Sequence, residues 1–134
     1  MASTEMMDKG KVIEQISRYL EEERASLMEA RDFSRAEEMK GLILMYRFLP
    51  KRTYGADDVV CPASLVEMEL NGVRAFYFIA PRGGGLVTSV DGLPVQVITP
   101  QSPIGDAILG RRAGETVRID LRDGVREYRI VGMS

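Results

Sequence analysis

Gln101-Ser102-Pro103-Ile104-Gly105-Asp106-Ala107-Ile108-Leu109-Gly110 decides how the second half of this chain is read. It holds the start, body and stop of one short helix. The Ser102 hydroxyl can accept a first-turn amide, Pro103 sits where a missing N–H costs nothing, and Gly110 can take the left-handed conformation that ends a helix. Around it the texture is strand. Upstream, Ser64–Leu70 alternates in polarity, Asn71-Gly72 is a two-residue hairpin turn, and Val73–Ala80 returns as the partner. Pro81 to Gly85 reads as a loop, and Leu86–Val90 and Pro94–Thr99 bracket an Asp91-Gly92 turn. Downstream, Glu115–Leu121 and Arg126–Val131 flank Arg122-Asp123-Gly124. This order predicts a curled antiparallel sheet packed on one short helix.

The first half has a different period. Ile13, Ile16, Leu20, Leu27 and Ala30 recur at three- and four-residue spacing, with Glu23 the one polar residue on that seam, so residues 9–30 are expected to be helical. Asp32 or Ser34 can cap a second helix, whose seam is Ala36, Met39, Ile43 and Tyr46, broadened by Leu42 and Leu49. Pro50 stops it, because its ring clashes with the preceding turn. Two such stripes joined by a short turn make an antiparallel αα-hairpin. Gly41 resists the pattern, costing roughly 1 kcal/mol relative to alanine within a helix. The expected class is therefore α+β: a helical hairpin (a short coiled coil) over residues 1–50, a linker over 51–58 with a turn at Tyr54-Gly55-Ala56-Asp57, and a sheet domain over 59–134.

Composition narrows the chemistry. The chain has no histidine, which removes the usual general base near neutral pH and the imidazole metal ligand, and with them Ser-His-Asp and Cys-His catalysis. Cys61 is the only cysteine, so no intramolecular disulfide can form and a reducing cytoplasm is the expected location. The opening MASTEMMDKGK lacks the apolar stretch of a signal peptide, and the run from Gly41 to Tyr46 is too short to span a bilayer. Net charge is −2; residues 1–58 carry 10 basic and 12 acidic side chains and the remainder 8 of each. Without a basic face, direct binding to DNA or RNA is not expected. No enzymatic activity, cofactor or metal is expected.

The string Val97-Ile98-Thr99-Pro100-Gln101-Ser102-Pro103-Ile104, then Ile108-Leu109-Gly110-Arg111-Arg112-Ala113-Gly114-Glu115, resembles the C-terminal domain of the Gre (GreA/GreB) transcript-cleavage factors. The shared pattern is a strand, Ser-Pro-hydrophobic, a short helix, Leu-Gly, a basic pair and Gly-acid. It continues through a strand, a turn at Gly124 and a closing strand with Tyr128. Coverage is good over 94–132 and weaker over 64–93. The resemblance implies an FKBP-like domain seated on the rim of the RNA polymerase secondary channel, with the helical hairpin directed into the channel. It makes Ser102, Pro103 and Ile104 candidate polymerase contacts, with Arg111 and Arg112 beside them. A plainer role for Ser102 and Pro103 is simply to start the helix. An FKBP-like fold does not imply prolyl isomerisation, and no aromatic proline pocket is evident.

Cleavage-stimulating members of that family present tip carboxylates that hold a second Mg²⁺ in the polymerase active centre, a task suited to oxygen ligands. The tip acids here are Glu29, Asp32, Glu37 and Glu38. Matching Glu29-Ala30-Arg31 to the family places Glu38 at one acidic position but Arg35 at the other, where a guanidinium would oppose a cation. A second helix of about 15 residues spans roughly 22 Å, shorter than a Gre hairpin. The design is nearer to the Rnk-like proteins, with a Gre-type domain and a stunted hairpin. The expectation is a polymerase-binding regulator without cleavage stimulation; the alternative is a cleavage-stimulating Gre-type elongation factor acting through the tip acids. The stretch from Leu20 to Lys40, with Asp32-Phe33, also resembles the UVR motif of excision-repair proteins, which suggests a hairpin-mediated interaction module and self-association through the hairpin.

Overall fold

The computed structural model describes residues 7–50 and 52–134. The start of the expected hairpin segment, including most of the stretch read for a signal peptide, and Lys51 of the linker lie outside the described residues. Nine elements follow in order: α1 (Lys9–Glu29), α2 (Phe33–Arg47), β1 (Leu65–Leu70), β2 (Val73–Ile79), β3 (Val87–Val90), β4 (Leu93–Ile98), α3 (Pro103–Ile108), β5 (Thr116–Leu121) and β6 (Gly124–Met133).

The hairpin forms as its periodicity demands. Asp8 caps α1, its carboxylate accepting from the amide of Gly10 at 2.8 Å. Asp32, rather than Ser34, caps α2 by accepting from the Arg35 amide at 3.3 Å. Arg31 turns the chain between them in the left-handed region, at φ 58°. Burial along α1 is concentrated at its base, on Lys9, Val12, Ile13, Ile16 and Leu20. Leu27 is half-buried and Ala30 exposed, so the expected seam thins toward the tip. The reason is tertiary: the base half of the hairpin lies on the sheet, and Ile13, Ile16, Leu20, Ile43, Tyr46 and Leu49 share one core with Leu65, Phe78, Val95 and Val97.

The sheet has six strands in the order β3-β4-β2-β1-β6-β5. It is mixed, correcting the antiparallel expectation: β2 and β4 run parallel, with Phe76 opposite Val95 and Phe78 opposite Val97. Burial explains the choice. Val95 and Val97 are fully buried and need an interior strand, whereas β3, with Val87 largely exposed, tolerates the edge. Asn71-Gly72 and Asp91-Gly92 both have two positive φ values, as the tightest hairpin turns require. The opposite sheet face buries Val66, Met68, Tyr77, Ile79 and Ile130 against Ile108 of α3 and the curl of β5 and β6. The sheet is thus a middle layer between the hairpin and α3.

Gly41, costly within its helix, has no close contact that demands it: a side-chain carbon there would lie in ordinary contact with the Arg82 guanidinium at 3.4 Å, whereas one on Gly83 would meet Leu42 at 2.9 Å. The 81–85 loop is seated on α2. The segment after the hairpin is similarly held: Lys9 donates to the carbonyl of Arg52 and lies 4.4 Å from the Tyr54 ring centroid, with the Arg52 guanidinium 4.6 Å from the same centroid. Burial lowers the Lys9 pKa from its usual value; the nearby Cys61 opposes that shift and Arg52 adds to it. Asp58 closes the turn, accepting from the Gly55 amide at 2.8 Å and pairing with Arg52 at 3.1 Å.

Candidate functional site

The Ser102-Pro103-Ile104 turn is built by its neighbours. β4 delivers the chain to Thr99, whose carbonyl accepts the Ser102 amide at 3.1 Å and the Ser102 hydroxyl at 2.7 Å. That same hydroxyl oxygen accepts from the Gly105 amide at 3.1 Å, making Ser102 the cap of α3. Its hydrogen-bonding capacity is directed into the fold, and what the turn offers to solvent is the exposed ring of Pro103. Ile104 is half-buried and packs against the core beneath α3.

Gly105 is a residue the motif reading did not single out, and it governs the turn. A side-chain carbon there would lie 1.9 Å from the Thr99 carbonyl oxygen. The one available sequence signal was a glycine inside a helix, where it is disfavoured without a packing reason. Gly84 approaches Thr99 as well, where an added side-chain carbon would lie 2.9 Å from the Thr99 methyl. Between that glycine loop, β4 and Ser102 lies an open cleft of about 330 Å³ lined by Leu86, Val87, Gln96 and Val97.

The basic pair follows Gly110, which takes φ 79° as its stop role requires. Arg111 and Arg112 are both exposed, and both have partners within the chain. Arg111 pairs with Glu115 at 3.6 Å. Arg112 receives its backbone cap from Glu115 at 2.6 Å and donates from its guanidinium to the Asp57 carbonyl at 3.2 Å. Val60 exchanges backbone bonds with Gly110 and Arg111, so the exit of α3 is fastened to the segment that follows the hairpin.

The tip acids lie apart from this turn in the fold. Glu29, Glu37 and Glu38 are exposed, whereas Asp32 is half-buried, occupied by its cap and 4.0 Å from Arg35. Among the described residues, no three or more His, Cys, Asp or Glu side chains come together as a metal cage would require. No helix among them is long and apolar enough to cross a membrane.

Comparison with known proteins is consistent with this geometry. The family described as "Transcription elongation factor, GreA/GreB, C-term" matches residues 91–134, the stretch containing the turn, α3 and the basic pair. The transcription elongation factor GreA of Thermomicrobium roseum is 32% identical over 98 residues, covering 72% of this chain and 58% of that protein. GreA of Clostridium beijerinckii is 26% identical over 97 residues, covering 71% and 61%. The transcription inhibitor protein Gfh1 of Thermus thermophilus is 32% identical over 82 residues, covering 59% and 49%. The chain thus spans about three-fifths of the length of these GreA relatives and half that of Gfh1. Among solved structures, one of the transcription factor Gfh1 aligns over 90% of this chain and 85% of its own, at 23% identity and a TM-score of 0.48.

Proposed function

Because the chain carries a Gre-family C-terminal domain, we propose that it regulates transcription by binding RNA polymerase at the secondary-channel entrance, without stimulating transcript cleavage. The observation that carries this reading is the family match over 91–134, centred on a turn that the fold holds rigidly and that presents Pro103 outward. Pro103 and the edge of Ile104 form the contact, since the Ser102 hydroxyl is already engaged. Arg111 and Arg112 flank it and can reach acidic groups on the polymerase without leaving their own carboxylate and carbonyl partners. The relatives bear the names of both an elongation factor and an inhibitor, which supports regulation and leaves its sign to experiment. The division into hairpin (1–50), connecting segment (51–58) and domain (59–134) belongs to the same proposal, as does a location in the cytoplasm.

The absence of cleavage stimulation rests on the hairpin. Its base is seated on the sheet, so α1 beyond Leu20 extends only nine residues to Glu29, about 14 Å at 1.5 Å per residue. Arg35 stands where the family resemblance asks for an acid, and Asp32 is turned back into its cap. On this reading the protein occupies the channel entrance and is neither an enzyme nor a supplier of metal ligands. Retention of core RNA polymerase by the immobilised intact chain tests it; no retention sinks the docking claim.

A further inference from the structure

Among the described residues, no element covers the face of the hairpin turned away from the sheet. Between α1 and α2 it carries two open cavities, of about 350 and 300 Å³, which share Glu21, Ile43 and Arg47 and so form one trough. Helical spacing puts Gly10, Glu14, Ser17, Glu21, Arg24 and Met28 on the α1 rim, and Phe33, Glu37, Lys40, Leu44 and Arg47 on the α2 rim, with Phe48 one turn past Leu44. Four large apolar side chains on these rims are exposed: Met28, Leu44, Phe33 at 55% and Phe48 at 80%. The opposite side of α2, through Tyr46 and the following Leu49, is already in the core, so these residues have no partner surface among the described residues.

Toward the base of the hairpin the charges are largely sorted by helix. The α1 rim carries Glu14 and Glu21, with Arg24 above them, and the α2 rim carries Arg47 and Lys40, with Glu37 above them. Glu21 and Arg47 already face each other across the trough at 3.9 Å. An edge of one sign beside an edge of the other is self-complementary under a two-fold axis.

We propose that this trough is the interface of a homodimer, with two hairpins packed face to face about a two-fold axis parallel to their helices and both tips pointing the same way. That operator lays α1 of one copy antiparallel over α2 of the other, Glu21 against Arg47, with Leu44 and Phe48 closing over the small Gly10 and Ser17 positions. A two-fold axis in the interface but perpendicular to the helices would set acid on acid and base on base. The sheets lie behind their own hairpins and stay clear of the contact. Apolar closure supplies the affinity, and the charges select the orientation.

Sedimentation equilibrium of the intact chain, read alongside its variants, tests this. The expected result is a concentration-dependent dimer, weakened on the order of tenfold or more by Phe48→Asp or Leu44→Asp. Both positions are exposed, so circular dichroism should show each variant folded. Glu21→Lys should weaken the dimer, and adding Arg47→Glu in the same chain should restore it. A monomer up to roughly 100 μM, which means association weaker than about −5.5 kcal/mol, overturns the proposal and leaves the trough to a different chain. Dimerisation that ignores both the apolar variants and the charge reversals overturns it equally. Neither result bears on polymerase retention, which is measured separately.

Discussion

A side-chain carbon on Gly105 would fall 1.9 Å from the carbonyl oxygen of Thr99, inside any allowed contact. That closeness lets one carbonyl accept both the amide and the hydroxyl of Ser102 while the hydroxyl oxygen caps α3. The Ser-Pro turn is therefore a packed object, and its exposed proline is held rigidly. Gly105→Ala should cost about 1–3 kcal/mol, the range for forcing extra carbon into a tight site. The urea midpoint reads this loss; an unchanged midpoint would show that the turn relaxes freely.

Tyr46 makes a pH prediction. Its ring packs 6.3 Å from Phe78, and its hydroxyl is buried without a hydrogen-bond partner among the described residues. Burial raises its pKa well above the usual value near 10, and burial together with Tyr128 pushes Tyr77 up to about 12. The folded state thus keeps protons that the unfolded chain releases first. Stability should hold below about pH 10 and fall as pH rises above it. Tyr46→Phe should flatten that fall. Near neutrality it should be neutral or stabilising by up to about 1 kcal/mol, since it removes an unsatisfied buried group. Denaturation series from pH 7 to 11 check both parts.

Much of this was legible beforehand, for identifiable reasons. Asn71-Gly72, Asp91-Gly92 and Gly110 each carry a backbone requirement that few other residues meet, so the turns and the stop of α3 could be placed from sequence. The hairpin was readable from a 3.6-residue stripe. The parallel β2–β4 pair was not, because local alternation carries no information about which strand lies beside which. The reach of the α1 seam was also misjudged: Leu27 and Ala30 match the period of Ile13 and Leu20, but only the base half meets the sheet. Gly105 looked like a defect because the group it accommodates, the Thr99 carbonyl, lies outside its helix. At the candidate site, Ser102 and Pro103 were visible as motif residues, whereas the commitment of Arg112 to Asp57 depended on a 55-residue separation.

The tip should fray separately from the rest. Asp32→Ala removes the acceptor for the Arg35 amide, a cap worth ~1 kcal/mol. Because the tip is thinly packed, the loss should appear as faster hydrogen exchange in the first turn of α2 with little change in the global midpoint. A full shift of the midpoint would mean the tip belongs to the main cooperative unit.

For the tip acids, the proposal expects silence. On a backtracked transcription complex the intact chain should release no short 3′ RNA fragments above the polymerase's own background, and Glu29→Ala and Glu38→Ala should behave identically. Fragment release that disappears in Glu38→Ala would establish the cleavage-stimulating alternative.

The central claim is that the Ser102-Pro103-Ile104 turn docks on RNA polymerase, and retention of core enzyme by intact protein and by Pro103→Asp tests it most directly. Aspartate is well tolerated in the first turn of a helix, and Pro103 is exposed, so the variant should fold; circular dichroism confirms that first. The account expects the intact chain to retain the polymerase and the folded variant to lose it. Equal retention by both would contradict the assignment of the contact to this turn, and no retention by either would contradict the docking itself.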